Sequence, residues 1–270
     1  MSVQGSTVRL GASPLAGGPA TISYRAMGTG DTVVVFLHGG WGYQIYPFDA
    51  QARALESRYR ILIPDRSGHG GSTPVTALPL DFHRRAAQET SAFLDELGIE
   101  KAVWWGHSDG AVIAAIASIE MPERVAAVVL EALHLYRDKP GSRRFFEQMV
   151  SAPDTFGDGV KSALNSDHGA GWRRVLRLDG QAWLDLASTS ERVHGDLYAG
   201  RLPSVVRPTL LVHGGRDPRT EPGEYAAICA CLPDATTLFL PDAGHSPHSE
   251  PASADIVSRA AEAFLEKLAR

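Results

Sequence analysis

Short, unbroken runs of apolar and β-branched residues recur along the chain, at Thr32 to Leu37, Tyr59 to Ile63, Val103 to Trp105, Val125 to Leu130, Thr209 to His213 and Thr236 to Leu240. Runs without polar alternation predict strands buried on both faces, as in a parallel sheet. Between them lie longer segments whose apolar residues stand three or four positions apart. From Asp81 to Leu97 this spacing puts Phe82, Ala86, Phe93 and Leu97 on one side, and Gly98 stops the helix. Helices are also predicted over about 48 to 57, 221 to 231 and 252 to 267, the last burying Ile256, Ala260, Phe264 and Leu268 on one stripe. Near the start, Thr7 to Leu10 and Thr21 to Ala26 predict an antiparallel pair, separated by a Gly- and Pro-containing segment. Strand and helix alternate from there on, so the expected fold is α/β, a mostly parallel twisted sheet with helices on both faces.

The alternation breaks between about His134 and Pro203. This stretch carries Trp172, Trp183, paired phenylalanines and many Arg and Asp residues in helical patches, with no apolar run of strand type. The expected organisation is a core formed by residues 1–133 and 204–270, with 134–203 inserted as a helical lid over a site. A purely structural helical appendage is the alternative, since Trp and Phe at helical spacing also pack cores.

Composition narrows the function classes. With 44% hydrophobic and 21% charged residues the chain can bury a sizeable core, and a formal net charge of −5 provides no basic field for nucleic acid or an anionic membrane. The first residues lack a basic start followed by a sustained apolar core, and no apolar run is long enough to span a bilayer. Cys229 and Cys231, the two cysteines, stand two apart in a predicted helix and point in different directions, so a reducing cytoplasm is the expected location. No metal-ligand spacing of Cys and His occurs, so neither metal nor cofactor is expected.

Chemistry concentrates at the ends of the predicted strands. Val103-Trp104-Trp105 leads into Gly106-His107-Ser108-Asp109-Gly110 and then a small, apolar, helix-forming segment. Strand, Gly-x-Ser-x-Gly and helix form a nucleophile elbow: the glycines let strand and helix pass closely, and the turn lifts the serine hydroxyl above the sheet edge. Asp217 follows the strand at 209–213, and His245 follows the strand at 236–240. Ligands of doubly wound sheets bind beyond the carboxyl ends of the strands, where these three residues would meet. Ser108 would then be the nucleophile, His245 its base and Asp217 the group that orients and stabilises the imidazole. Glu131, at another strand end, is the fallback acid. His38, His69, His107, His213 and His248 read as structural or solvated.

Taken together, the chain resembles the α/β-hydrolase fold family over nearly its whole length. The resemblance rests on the elbow, on His38-Gly39-Gly40-Trp41-Gly42 as an oxyanion loop, and on Asp65-Arg66-Ser67-Gly68-His69-Gly70-Gly71-Ser72 after the next strand. It also rests on His213-Gly214-Gly215-Arg216-Asp217 as the acid turn and on Gly244-His245 with Glu250 and Pro251 as the histidine turn. It implies the chain order Ser108, Asp217, His245, with the oxyanion received by the backbone N–H groups of Gly40 and Asp109. A narrower resemblance, carried by Gly106 to Gly110 alone, is to valacyclovirase-like amino-acid-ester hydrolases.

Serine at the elbow argues against the dehalogenases and epoxide hydrolases of that family, which need a carboxylate nucleophile. An acyl hydrolase acting on a small-molecule ester is the first expectation. Carbon–carbon bond hydrolysis, iminopeptidase activity and a ligand receptor without turnover share the same three residues. Asp109 stands beside the nucleophile, where it either receives a cationic substrate group or pairs with an Arg or backbone donors. Trp41, Trp172 and Trp183 are the candidates for an apolar substrate pocket.

Overall fold

The computed structural model describes residues 4–189 and 195–268. Eight strands form one sheet in the order β1-β2-β4-β3-β5-β6-β7-β8. β1 (Gln4–Ser13) pairs antiparallel with β2 (Gly18–Met27), and β2 pairs antiparallel with β4 (Arg60–Pro64). The other neighbours run parallel: β3 (Val33–Leu37) beside β4 and β5 (Ala102–His107), then β6 (Val125–Glu131), β7 (Thr209–Gly214) and β8 (Thr236–Leu240). The first two strands are longer than predicted, because each continues through polar positions that face solvent on one side.

The unbroken apolar runs have the expected cause. In β3, Val33, Val35 and Leu37 enter one core cluster while Val34 and Phe36 enter the other, so every side chain is buried whichever way the pleat turns. On the first face α2 (Phe82–Glu96) packs against α3 (Asp109–Glu120), which lies on β5 and β6. On the second, α1 (Asp49–Leu55) packs against α8 (Ala254–Leu268). The predicted stripe of α8 is corrected: Val257, Ala261, Phe264 and Leu265 are buried, whereas Ile256 and Leu268 are exposed. A strict spacing of four drifts around a helix with 3.6 residues per turn, and the buried set instead follows steps of four, three and one.

Between β6 and β7 the chain forms α4 (Arg143–Ser151), α5 (Asp158–His168) and α6 (Trp172–Ser188), with α4 and α5 packed on α6. These helices fall within the predicted 134–203 insertion, of which residues 190–194 lie outside the described residues. Another helix, α7 (Glu224–Cys231), lies between β7 and β8.

Candidate active site

The elbow is built by close backbone contact. Ser108 links β5 to α3 at φ +56°, a conformation that L residues rarely adopt. A β-carbon at Gly106 would come within 1.9 Å of the Gly110 carbonyl oxygen, and one at Gly110 within 2.0 Å of the Leu37 carbonyl oxygen. The glycines therefore seat the start of α3 against the end of β3, where the loop from His38 to Gly42 begins. Among the described residues neither the Gly40 nor the Asp109 N–H has a backbone acceptor.

The loops after β7 and β8 are held together in the same way. A β-carbon at Gly214 would meet the Gly244 carbonyl oxygen at 1.9 Å. Glu250 accepts hydrogen bonds from the N–H groups of Gly244 and Ser246, clamping the histidine turn on both sides of His245. The Nδ1 of His245 lies 2.9 Å from both carboxylate oxygens of Asp217, which also accepts from the Arg219 N–H at 2.7 Å. Burial alone would raise the Asp217 pKa, but the hydrogen bond and charge of His245 and the Arg219 N–H together hold it below the usual carboxylate range.

Ser108 and His245 share the walls of one cavity of about 160 Å³. Among the described residues, however, the hydrogen-bond partner of Ser108 Oγ is His134, whose Nε2 lies 3.3 Å away, and not His245. The His134 ring lies nearly parallel to that of His245, at 14° and 5.8 Å between centroids. Burial, followed by the adjacent Lys139 charge, holds His134 well below the usual histidine pKa. This residue was not singled out from the sequence. Its one signal was its position, in the loop that follows β6.

Asp109 is spoken for. Its Oδ1 accepts from His83 Nε2 at 2.9 Å and Trp183 Nε1 at 3.2 Å, and its Oδ2 lies 3.5 Å from the Arg66 guanidinium. Burial would raise its pKa, but the bond and charge of His83 and the charge of Arg66 outweigh it and keep the group ionised. A second acid, Asp179 on α6, hydrogen-bonds Asp109 and is pushed well above the usual range by burial and by the neighbouring negative charge. Asp179 lines the cavity against Gly40, and its Oδ1 has no partner among the described residues.

Aromatic residues form much of the rest of the wall, to which Lys139, Pro218 and Arg219 also contribute. Trp183 stacks on Phe146 with centroids 5.5 Å apart, and Trp41 stacks on Phe145 at 5.2 Å. Trp172 is corrected: it is buried outside the cavity, at the start of α6, with Arg173 over its ring. Glu131 accepts from both the N–H and Nδ1 of His248, so its contact is with that histidine and not with His245. His38 and His69 lie against the carbonyl oxygens of Gly39 and Gly40 in the loop after β3, while His107 binds the carbonyl of His245.

Fold and site together define an α/β enzyme with a nucleophile elbow, of hydrolase type. The chain belongs to the alpha/beta hydrolase family, whose pattern it matches over residues 34–258. It is 25% identical over 248 residues to the mouse (Mus musculus) protein named serine hydrolase BPHL, a match covering 91% of this chain and 83% of that one. It is 40% identical over 161 residues to epoxide hydrolase A of Mycobacterium tuberculosis, covering 54% of this chain and 48% of that one. A thermophilic esterase from Thermogutta terrifontis has a similar structure, with a TM-score of 0.72, 19% identity and coverage of 97% and 99% of the two chains. Among the described residues no helix is long and apolar enough to cross a membrane.

Proposed function

We propose that this hydrolase cleaves the ester bond of a small molecule through an acyl-enzyme on Ser108. The observation that carries the reading is the placement of a strained elbow serine and an Asp217-bound histidine on one small cavity. Because Asp217 accepts from Nδ1, the Nε2 of His245 is the nitrogen available for the serine proton. Attack transfers that proton to His245 as the Oγ–carbon bond forms, and the N–H groups of Gly40 and Asp109 receive the oxyanion. His245 then protonates the leaving alcohol. Water repeats the sequence on the acyl-enzyme and releases the acid.

Ser108 also separates this reading from epoxide opening, which in related enzymes uses a carboxylate at the elbow. In this reading residues 134–203 act as the lid that selects the substrate, through Trp183, Phe145 and Phe146. A second reading concerns the substrate itself. The carboxyl that faces the cavity with a spare oxygen is Asp179 rather than Asp109, which favours an acyl group carrying an amine or hydroxyl.

Fluorophosphonate labelling with peptide mapping tests the nucleophile: an adduct on Ser108, absent in Ser108→Ala, is expected, and no adduct on the active chain overturns the proposal. Comparing an aminoacyl ester with its N-acylated counterpart in wild type, Asp109→Asn and Asp179→Asn tests the second reading. A preference for the free amine that survives both substitutions rejects it.

A further inference from the structure

We infer that His134 is a hydrogen-bond donor to the nucleophile and not a second base, its proton fixed on Nε2 by a buried Glu224–Lys139 pair. The inference rests on Ser108 acting as proposed above. Glu224, fully buried at the start of α7, accepts from the N–H groups of Leu135 at 2.8 Å, Tyr136 at 3.0 Å and Glu221 at 2.9 Å, and from Lys139. A carboxyl surrounded only by donors is a carboxylate. Lys139, buried beside it, is therefore an ammonium, and its three hydrogens are shared among four acceptors: the two Glu224 oxygens at 2.6 and 2.5 Å, the Arg219 carbonyl at 3.1 Å and His134 Nδ1 at 3.1 Å. An ammonium has no lone pair, so Nδ1 accepts. The ring proton sits on Nε2, 3.3 Å from Ser108 Oγ.

The ring is held in place. Tyr198 donates to the His134 carbonyl at 2.8 Å, and the ring meets Trp183 edge to face at 5.2 Å. Two consequences follow for the reaction. An oxygen that accepts from His134 has its own hydrogen free for another acceptor, and His245, whose Nε2 has no hydrogen-bond partner among the described residues, lines the same cavity. As the O–H bond breaks toward His245 and the Oγ–carbon bond forms, His134 keeps its proton and binds the growing negative charge on Oγ. A hydrogen bond that strengthens as charge develops lowers the barrier without tightening the ground state.

15N NMR of the wild-type chain reads the tautomer without any substitution: Nε2 bonded to hydrogen and Nδ1 bare is expected, and the reverse overturns the inference. Removing the donor in His134→Leu should lower kcat/KM and the fluorophosphonate labelling rate roughly 10- to 100-fold, the range for a hydrogen bond to a charged group. KM and the apparent pKa of the rate profile should stay in place, and His134→Gln, which keeps an N–H donor, should recover part of the loss. A labelled wild type whose His134→Leu variant labels equally fast refutes this inference alone. An unlabelled wild type refutes the hydrolase reading. Loss of the rate-profile ionisation in His134→Leu would make His134 the base and also refutes it.

Discussion

Gly110→Ala is the most informative substitution at the elbow, because it adds one methyl group while leaving every side chain of the proposed reaction in place. Its β-carbon would stand 2.0 Å from the Leu37 carbonyl oxygen, 2.6 Å from that carbonyl carbon and 2.9 Å from the His38 carbonyl oxygen. All three are backbone atoms, so no side chain can swing away. Restoring a carbon–oxygen contact of about 3.3 Å requires strand and helix to separate by roughly 1.3 Å. β3 carries the loop with Gly40, and α3 begins with Asp109, so the two proposed oxyanion donors move apart by a similar amount. A misplacement of about 1 Å is enough for a loss near 100-fold, and overpacking at this depth costs roughly 1 to 3 kcal/mol. Steady-state hydrolysis of an aryl acetate and urea unfolding monitored by tryptophan fluorescence measure the two effects. Gly159→Ala is the control: it lies in α5, a β-carbon there meets nothing within 4 Å, and it should leave activity unchanged and add up to about 1 kcal/mol. Wild-type activity and stability in Gly110→Ala would refute the close-approach account of the elbow.

Other expectations test separate parts of the site. Asp217→Asn should leave the fold intact and lower kcat by about four orders of magnitude, because the amide no longer fixes the His245 tautomer; a loss under tenfold would point to a different acid. Lys139→Met should destabilise the chain by roughly 3 to 5 kcal/mol, since it strands the fully buried Glu224 carboxylate, and urea midpoints at pH 7.5 read it. Burial holds His38, His69, His83, His107 and His134 below the ordinary histidine pKa. The unfolded chain thus binds more protons below about pH 6.5, and stability should fall with acid by up to about 1.4 kcal/mol per pH unit per histidine; urea midpoints that stay flat from pH 7.5 to 5.5 would contradict this. Asp179 has the opposite sign, its raised pKa making the folded state the better proton binder above the ordinary carboxyl pKa. Asp179→Asn should therefore be relatively more stable as pH rises, and an equal offset from wild type at all pH values argues against a protonated Asp179.

The sheet and the elbow were legible in the chain because their constraints are local. A strand buried on both faces must be apolar throughout, and a crossing so close that a β-carbon would stand about 2 Å from a carbonyl oxygen must use glycine. The same holds for Asp217 and His245, each reached by stepping a few residues past a strand. What the sequence hid depends on which side chains meet. His134 follows β6 just as Asp217 follows β7, but nothing local says that its ring turns to Ser108. Asp179 left a fainter mark, a carboxylate set among Val175, Leu176, Trp183 and Leu186 on the buried face of α6. An acid in an apolar stripe is either partnered or protonated. The stripe of α8 was misplaced by about one residue, because a strict step of four carries the line of positions off the buried face.

The two histidines on the Ser108 cavity show how one inserted residue can reverse a role. Asp217 touches His245 directly, and a carboxylate can only accept, so the proton is drawn to Nδ1 and Nε2 is left basic. Glu224 is also a buried carboxylate, but Lys139 stands between it and His134. The ammonium presents a hydrogen to Nδ1, which sends the ring proton to Nε2 and makes that nitrogen a donor. In the proposed mechanism both carboxylates thus set what a histidine offers the same hydroxyl, one as proton acceptor and the other as proton donor. Lys139→Met should then lower activity, by no more than His134→Leu does, because it releases the tautomer that keeps the proton on Nε2 while His134→Leu removes the donor itself. A variant at Lys139 that keeps its fold and its full rate would break the chain of reasoning at its first link.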